Sequence, residues 1–291
     1  MRLDQSWATK NYSRSRKMKV FYINLAQQTE RRNFVEDNFN QSNELGWTLS
    51  RIDAVNKNNP AALSTIIFGD LRDSDVACFL SHLKAIRLLK NVDEDVMIVE
   101  DDVCFGPDSQ RLISSVIGNT PRDDWDILFT DVCIPNIHTM IDLFQLRRNL
   151  ANKVKLLNLS RIRFAGATAY IVNKERKHNI LKIFENISSI NIPYDLFLRK
   201  LIHGKQLTAH VIFPFLTTLS KHAEASQIQS ATTMTTDALW NGFRRLTCFN
   251  QNISETEIGL SSIREDYYDD KEAEIFSKII RGLLCKKFLH K

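Results

Sequence analysis

The stretch 96-VMIVEDDVCF-105 sets four apolar residues, Val96 to Val99, directly against Glu100, Asp101 and Asp102, and then returns to apolar chain. A short β-branched run ended by a sharp polar switch reads as a buried strand, and the ends of such strands are where open α/β sheets place ligands. Consecutive carboxylates repel one another, so a fold that gathers them at one strand end must balance them with cations or water. Mg²⁺ and Mn²⁺ do this well, because they take oxygen ligands from one or two carboxylates plus substrate phosphates. Glu100 and Asp102 lie on the same side of the chain and suit that role, whereas Asp101 points the other way, toward helix N-termini or ribose hydroxyls. A solvated acidic turn capping the next helix is the alternative.

Outward from this stretch, strands alternate with helices. Met18 is followed at once by the apolar "KVFYINL", and the fold is expected to begin there, with residues 1–17 as a flexible extension. "TERRNFVEDNFNQ" then offers Thr29 as a cap for a helix whose Phe34, Val35 and Phe39 share a face. "WTLSRIDAV" reads as the second strand. From Asp75, the residues Val76, Phe79, Leu80, Leu83, Ile86 and Leu89 follow helical spacing. Beyond the carboxylates, Pro107 and Asp108 open a helix through Val116, and "WDILFTDV" supplies a strand ending in Asp131. "ATAYIVN" is a strand, "KERKHNILKIFEN" a helix, "YDLFLRKLIHG" a helix stopped by Gly204, and "QLTAHVIFP" a strand. This alternation predicts one α/β domain with a mainly parallel sheet and helices on both faces. Hydroxyl-rich Ser226–Thr236 reads as a loop or a lid, and Ile275, Phe276, Ile279, Ile280, Leu283 and Leu284 form a helical stripe flanked by lysines and arginines.

Composition bounds the partners. With 291 residues, 43% of them hydrophobic, the chain can bury a sizeable core and is neither disordered nor fibrous. No apolar run reaches the roughly 18 residues of a membrane span, and the N-terminus lacks the apolar core of a signal peptide, so a cytoplasmic protein is expected. Five scattered cysteines without a CxxC pair indicate reduced thiols and neither a disulfide framework nor a zinc site. Of the net charge of +5, residues 1–20 and 271–291 together carry +9, which leaves the body near −4. Basic ends on a mildly acidic body argue against nucleic acid and favour an anionic membrane surface.

Other polar residues stand in telling places. Ser81 and His82 sit on an otherwise buried helix; no GxSxG is present, and His82 is expected to be a satisfied core residue more readily than a catalytic one. Asp195 follows a proline turn at a helix start, where it is either an N-terminal capping carboxylate or a general base.

"VFYINLAQQTERR", "DVACFLSHLKAI", "VMIVEDDVCF", "ATAYIVN" and the later "PYD" together, in this order and spacing over about Val20 to Ile228, resemble glycosyltransferase family 25, the lipopolysaccharide and lipooligosaccharide biosynthesis transferases. The resemblance implies a GT-A-like, Rossmann-related domain, which is expected to span residues 18–250, and the residue pattern adds a tail at 251–291 with a basic amphipathic helix. It places Glu100, Asp101 and Asp102 where such enzymes keep a DxD-type motif, with Glu100 and Asp102 on Mn²⁺ or Mg²⁺ and Asp101 toward a UDP-sugar. Asn24 and Leu25 would lie by the nucleotide, Arg31 or Arg32 would reach its phosphates, and Ser81 with His82 would shape the floor. The chain departs from the pattern in carrying Asp75 where the family often has Glu, and in having few glycines near the carboxylates, which leaves the fit of the donor open.

The resemblance further implies inversion and a β-linkage, commonly of galactose, with a lipid-linked oligosaccharide acceptor. Inversion needs a base for the acceptor hydroxyl. Asp195 is the first nominee and Asp131, at another strand end, the reserve. A metal-dependent phosphohydrolase and a non-catalytic glycan-binding relative are the competing readings. Oligomeric state is not legible.

Overall fold

The computed structural model describes residues 6–7, 17–59, 63, 67–225, 234–261, 271–272, 275 and 278–279. In chain order the first half runs β1 (Ser6–Trp7), β2 (Lys19–Asn24), α1 (Thr29–Ser42), β3 (Thr48–Asp53), β4 (Ile67–Phe68), α2 (Asp73–Leu88), β5 (Val96–Glu100), β6 (Val103–Phe105) and α3 (Ser109–Asn119). The second half runs β7 (Ile127–Cys133), α4 (Ile137–Leu150), β8 (Val154–Asn158), β9 (Ala165–Val172), α5 (Lys177–Glu185), β10 (Ser189–Ile190), α6 (Tyr194–His203), β11 (Ala209–Phe213), β12 (Thr217–Leu219), α7 (Met234–Leu246) and α8 (Ile253–Leu260).

Alternation along the strands decides the layers. Phe21 and Ile23 of β2, with Val96 and Ile98 of β5, enter one apolar core together with Phe79 and Leu83 of α2, Phe184 of α5 and Leu198 of α6. Their neighbours Val20, Tyr22, Met97 and Val99 enter a second core with Val35 and Phe39 of α1 and Ile113 and Val116 of α3. Successive side chains of a strand point to opposite faces, so a strand apolar throughout must be covered on both sides. The expected α/β domain with helices on both faces is what the chain forms.

The eight-stranded sheet has the order β1-β8-β11-β7-β9-β5-β2-β3. Most strands share one direction, but β9 is antiparallel to both β5 and β7, and β8 is antiparallel to both β11 and β1. Apolar periodicity reports burial and carries no polarity, so the reversal of "ATAYIVN" was not legible. Within the expected N-terminal extension, β1 pairs with β8 at the sheet edge. Thr29 is the first residue of α1 rather than its cap; Gln28 holds the cap position without a side-chain hydrogen bond. Most of the proposed loop or lid and of the C-terminal basic stripe lies outside the described residues, and within the latter Ile275 and Ile279 are exposed. No helix among the described residues is long and apolar enough to cross a membrane.

Candidate active site

Parallel pairing brings the key strand ends together. Ile23 of β2 stands opposite Glu100 of β5, so Asn24 and the three carboxylates leave the sheet at the same edge. The first turn of α1 adds Arg31. Its Nε donates to Asp101 Oδ1 at 2.7 Å, and its Nη2 lies 2.6 Å from Asp101 Oδ1 and 3.1 Å from Asp102 Oδ2. Asn24 Nδ2 donates to the other Asp101 oxygen at 2.7 Å. Burial alone would weaken the arginine's hold on its proton, but Asp102 and Asp101 raise its pKa above the usual value. Asp101 is thus fastened by two side chains of the chain itself, and Arg31 is its clamp.

Glu100 takes a different partner. Its Oε1 lies 3.2 Å from His82 Nε2, and His82 Nδ1 lies 3.1 Å from the Tyr170 hydroxyl, which in turn meets the Tyr194 hydroxyl at 2.7 Å. The imidazole stacks on Tyr194 with centroids 4.1 Å apart. Burial pushes Glu100 up, yet its hydrogen bond and charge interaction with His82, joined by Arg31, bring its pKa below the ordinary value. Both ring nitrogens of His82 are engaged, the position of a satisfied core histidine that orients a carboxylate.

Asp102 is left without enough partners. Its Oδ1 is buried and accepts no hydrogen bond. Burial, followed by the charge of Glu100, pushes its pKa up to about 7. A buried, under-partnered carboxylate beside a second one is the donor set that an oxygen-loving divalent cation completes, so Glu100 and Asp102 fit Mg²⁺ or Mn²⁺. Cys78, His82 and Glu100 also offer ligand atoms within 4.8 Å of one another. That set fits a cation less well, because burial holds the Cys78 thiol well above its ordinary pKa and His82 is already hydrogen-bonded on both nitrogens.

Two clefts meet at these carboxylates. One, of about 810 Å³, is lined by Leu25, Arg31, Lys57, Ser81, His82 and the three acids. Ser81 lines it, accepting from the Val55 N–H at 2.8 Å and donating to the Ala77 carbonyl at 2.7 Å. The other, of about 970 Å³, is lined by Tyr194, Asp195, Asp237, Trp240, Asn241 and Arg244 among others. Cys78, Glu100 and Asp102 border both.

The remaining candidates separate. Asp195, in the first turn of α6, lines the second cleft, and its Oδ2 accepts the Gly166 N–H at 2.7 Å. Gly166 has φ +81°, a conformation glycine adopts without strain, and this turns its N–H onto the carboxylate. Asp131 is fully buried against Arg244, whose Nε and Nη2 donate to its two oxygens at 2.7 and 2.5 Å. Asp131 is fully buried, lines neither cleft and has both oxygens held by Arg244, so in this geometry it is a structural anchor and a poor base. Arg32 is not among the side chains lining either cleft, and its charge is felt at Tyr22 instead. The sequence reading missed Lys57, Trp240 and Arg244. Lys57 lies in the Asn-rich loop after β3, which carries no periodic pattern, while Arg244 meets Asp131 across 113 positions of chain.

Against known proteins, residues 17–198 match the family model described as glycosyltransferase family 25, lipopolysaccharide biosynthesis protein. The chain belongs to this family. As a family 25 glycosyltransferase in lipopolysaccharide biosynthesis, it holds the Asn24, Arg31, Ser81–His82, Glu100–Asp102 and Asp195 positions all within the matched segment, while α7 lies beyond it. No protein of curated function matches the chain. Among solved structures, the apo form of mouse xyloside xylosyltransferase 1 matches at 12% identity over 69% of this chain and 73% of that one, with a TM-score of 0.34. That likeness is too loose to transfer a residue role.

Proposed function

We propose that this glycosyltransferase moves galactose from UDP-galactose, with inversion, onto a hydroxyl of a lipooligosaccharide acceptor. The observation that carries the reading is Asp102, whose buried, unpartnered oxygen stands where two clefts meet. Donor and acceptor must approach the reacting carbon from opposite sides in an inverting transfer, and two clefts sharing one acidic border supply two approaches.

A divalent cation held by Glu100 and Asp102, when bound, offsets the charge that develops on the departing diphosphate. Arg31 keeps Asp101 and Asp102 in place, and His82 keeps Glu100 turned toward them. Lys57, on the wall of the first cleft, offers an ammonium to phosphate oxygens. Leu25 borders the nucleotide, Asn24 steadies Asp101 behind it, and Ser81 fixes the loop around Val55 beneath it. In the second cleft Asp195, steadied by the Gly166 N–H, takes the proton of the acceptor hydroxyl as that oxygen attacks the anomeric carbon. The basic chain ends support work at an anionic membrane surface, where lipid-linked acceptors lie.

UDP release tests the reading. Donors UDP-galactose, UDP-glucose, UDP-GlcNAc and UDP-GalNAc are compared with Mn²⁺ or EDTA, for the wild type and Asp102→Asn. Metal-dependent release from UDP-galactose, lost in the variant, is expected. Metal-independent release, or none from any of the four, would overturn it.

A further inference from the structure

The second cleft has a wall that neither the family match nor the carboxylate motif accounts for. Helix α7 begins 36 positions after the matched segment ends at residue 198. Along it, Asp237, Trp240, Asn241 and Arg244 recur at the i, i+3, i+4 and i+7 spacing of one helical face, and all four line the cleft. Asp195, Glu100 and Asp102 border the same cleft.

This face is anchored at one end and free at the other. Arg244 is bound through Asp131 and Thr168, the latter at 3.0 Å, and Arg245 donates to the carbonyls of Leu219 and Ser220 at 3.1 and 2.8 Å. Gly242 lets α8 approach: a Cβ there would meet Leu260 Cδ2 at 2.7 Å. The helix therefore cannot slide or rotate without breaking a buried ion pair. Among the described residues, by contrast, the side chains of Asp237, Trp240 and Asn241 make no hydrogen bond, although Asn241 is only 6% exposed. A buried amide normally has a partner, and one without it that faces a cleft is waiting for a ligand's polar group.

We propose that the Asp237–Trp240–Asn241 face is the acceptor-sugar subsite, binding the pyranose ring whose hydroxyl Asp195 deprotonates; this rests on the transferase reading above. The chemistry matches the ligand. A pyranose has an apolar C–H face, which a half-buried indole covers, and a rim of hydroxyls that donate to a carboxylate and both donate to and accept from an amide. The charge balance agrees, because Arg244 is already neutralised by Asp131, leaving an aromatic and amide surface among carboxylates, suited to a neutral sugar rather than to a phosphate. The wall lies outside the matched family segment, so its residues are free to set which sugar this chain accepts.

The test measures acceptor-stimulated UDP release with UDP-galactose and Mn²⁺, using p-nitrophenyl β-glucoside, β-galactoside and β-N-acetylglucosaminide as acceptor probes. Trp240→Ala and Asp237→Asn are expected to raise the acceptor KM roughly tenfold while the donor KM stays within twofold. Trp240→Phe should recover most of the loss, and Leu239→Ser, on the exposed side of α7, should match the wild type. A tenfold change in the donor KM, or an unchanged acceptor KM in both variants, would overturn the subsite. Wild type that releases UDP from no donor refutes the transferase reading and the subsite with it; metal-dependent release that no probe stimulates refutes the subsite alone.

Discussion

Replacing Asp102 with asparagine should make the metal-free protein more stable while abolishing its activity. In the folded chain burial and Glu100 lift this carboxyl from its ordinary 3.8 to about 7. The ionised form is thus disfavoured by folding, and at about 1.4 kcal/mol per pH unit the penalty at pH 8 has a ceiling of about 4 kcal/mol. An asparagine at this place leaves an amide donor facing the position where Oδ1 has no partner, which costs about 2 kcal/mol. The net gain is about 2 kcal/mol, or roughly 4 °C in Tm for a chain of this size. The sign follows from the raised pKa. The penalty grows as pH climbs from the unfolded value toward the folded one and is complete above it, so the advantage of Asp102→Asn should be full at pH 8 and gone near pH 5. Thermal unfolding in EDTA at both pH values measures this directly, and adding Mn²⁺ should stabilise the wild type but not the variant. A variant that melts at or below the wild type at pH 8, or an advantage that does not shrink on acidification, refutes the account of Asp102 as an under-partnered carboxylate.

Other consequences follow from the same geometry. Because Asp102 must lose its proton to hold a cation, Mn²⁺ affinity measured by calorimetry should fall about tenfold per pH unit below about pH 7 and level off above it. Arg244→Met leaves Asp131 charged and unpaired inside the protein and should cost about 3–5 kcal/mol in urea unfolding, much of which the double change Asp131→Leu, Arg244→Met should restore. With Asp195 as the proposed base for the acceptor hydroxyl, Asp195→Asn should lower kcat by roughly 10²–10⁴-fold with the donor Kd unchanged. Removing residues 271–291, with their excess of basic side chains, should abolish flotation with anionic liposomes but not with neutral ones.

Much of the site was legible because its residues stand beside one another in the chain or at strand ends. The apolar run into Glu100, Asp101 and Asp102 fixed a buried strand with a polar mouth, since only a covered strand is apolar on both faces. Ser81 and His82 on α2 line the first cleft, Asp195 at the start of α6 lines the second, and Asn24 at the end of β2 holds Asp101 from behind. What stayed hidden depends on contacts between distant segments. Nothing in the sequence near Asp131 tells that Arg244 will close on it, so a carboxylate that reads as a spare base is a tether for α7. Likewise Arg31 and Arg32 are adjacent and alike, and only the packing of α1 over the sheet edge turns the first onto Asp101 and the second away. The direction of β9 is of the same kind, because hydrophobic period records which side chains are buried and not which way the strand runs. The sequence alone therefore determined the layers, the acidic strand end and the family, all set by local pattern; the partner of each charge and the α7 wall of the second cleft were decided by tertiary structure, where residues far apart in the chain first come within hydrogen-bonding distance.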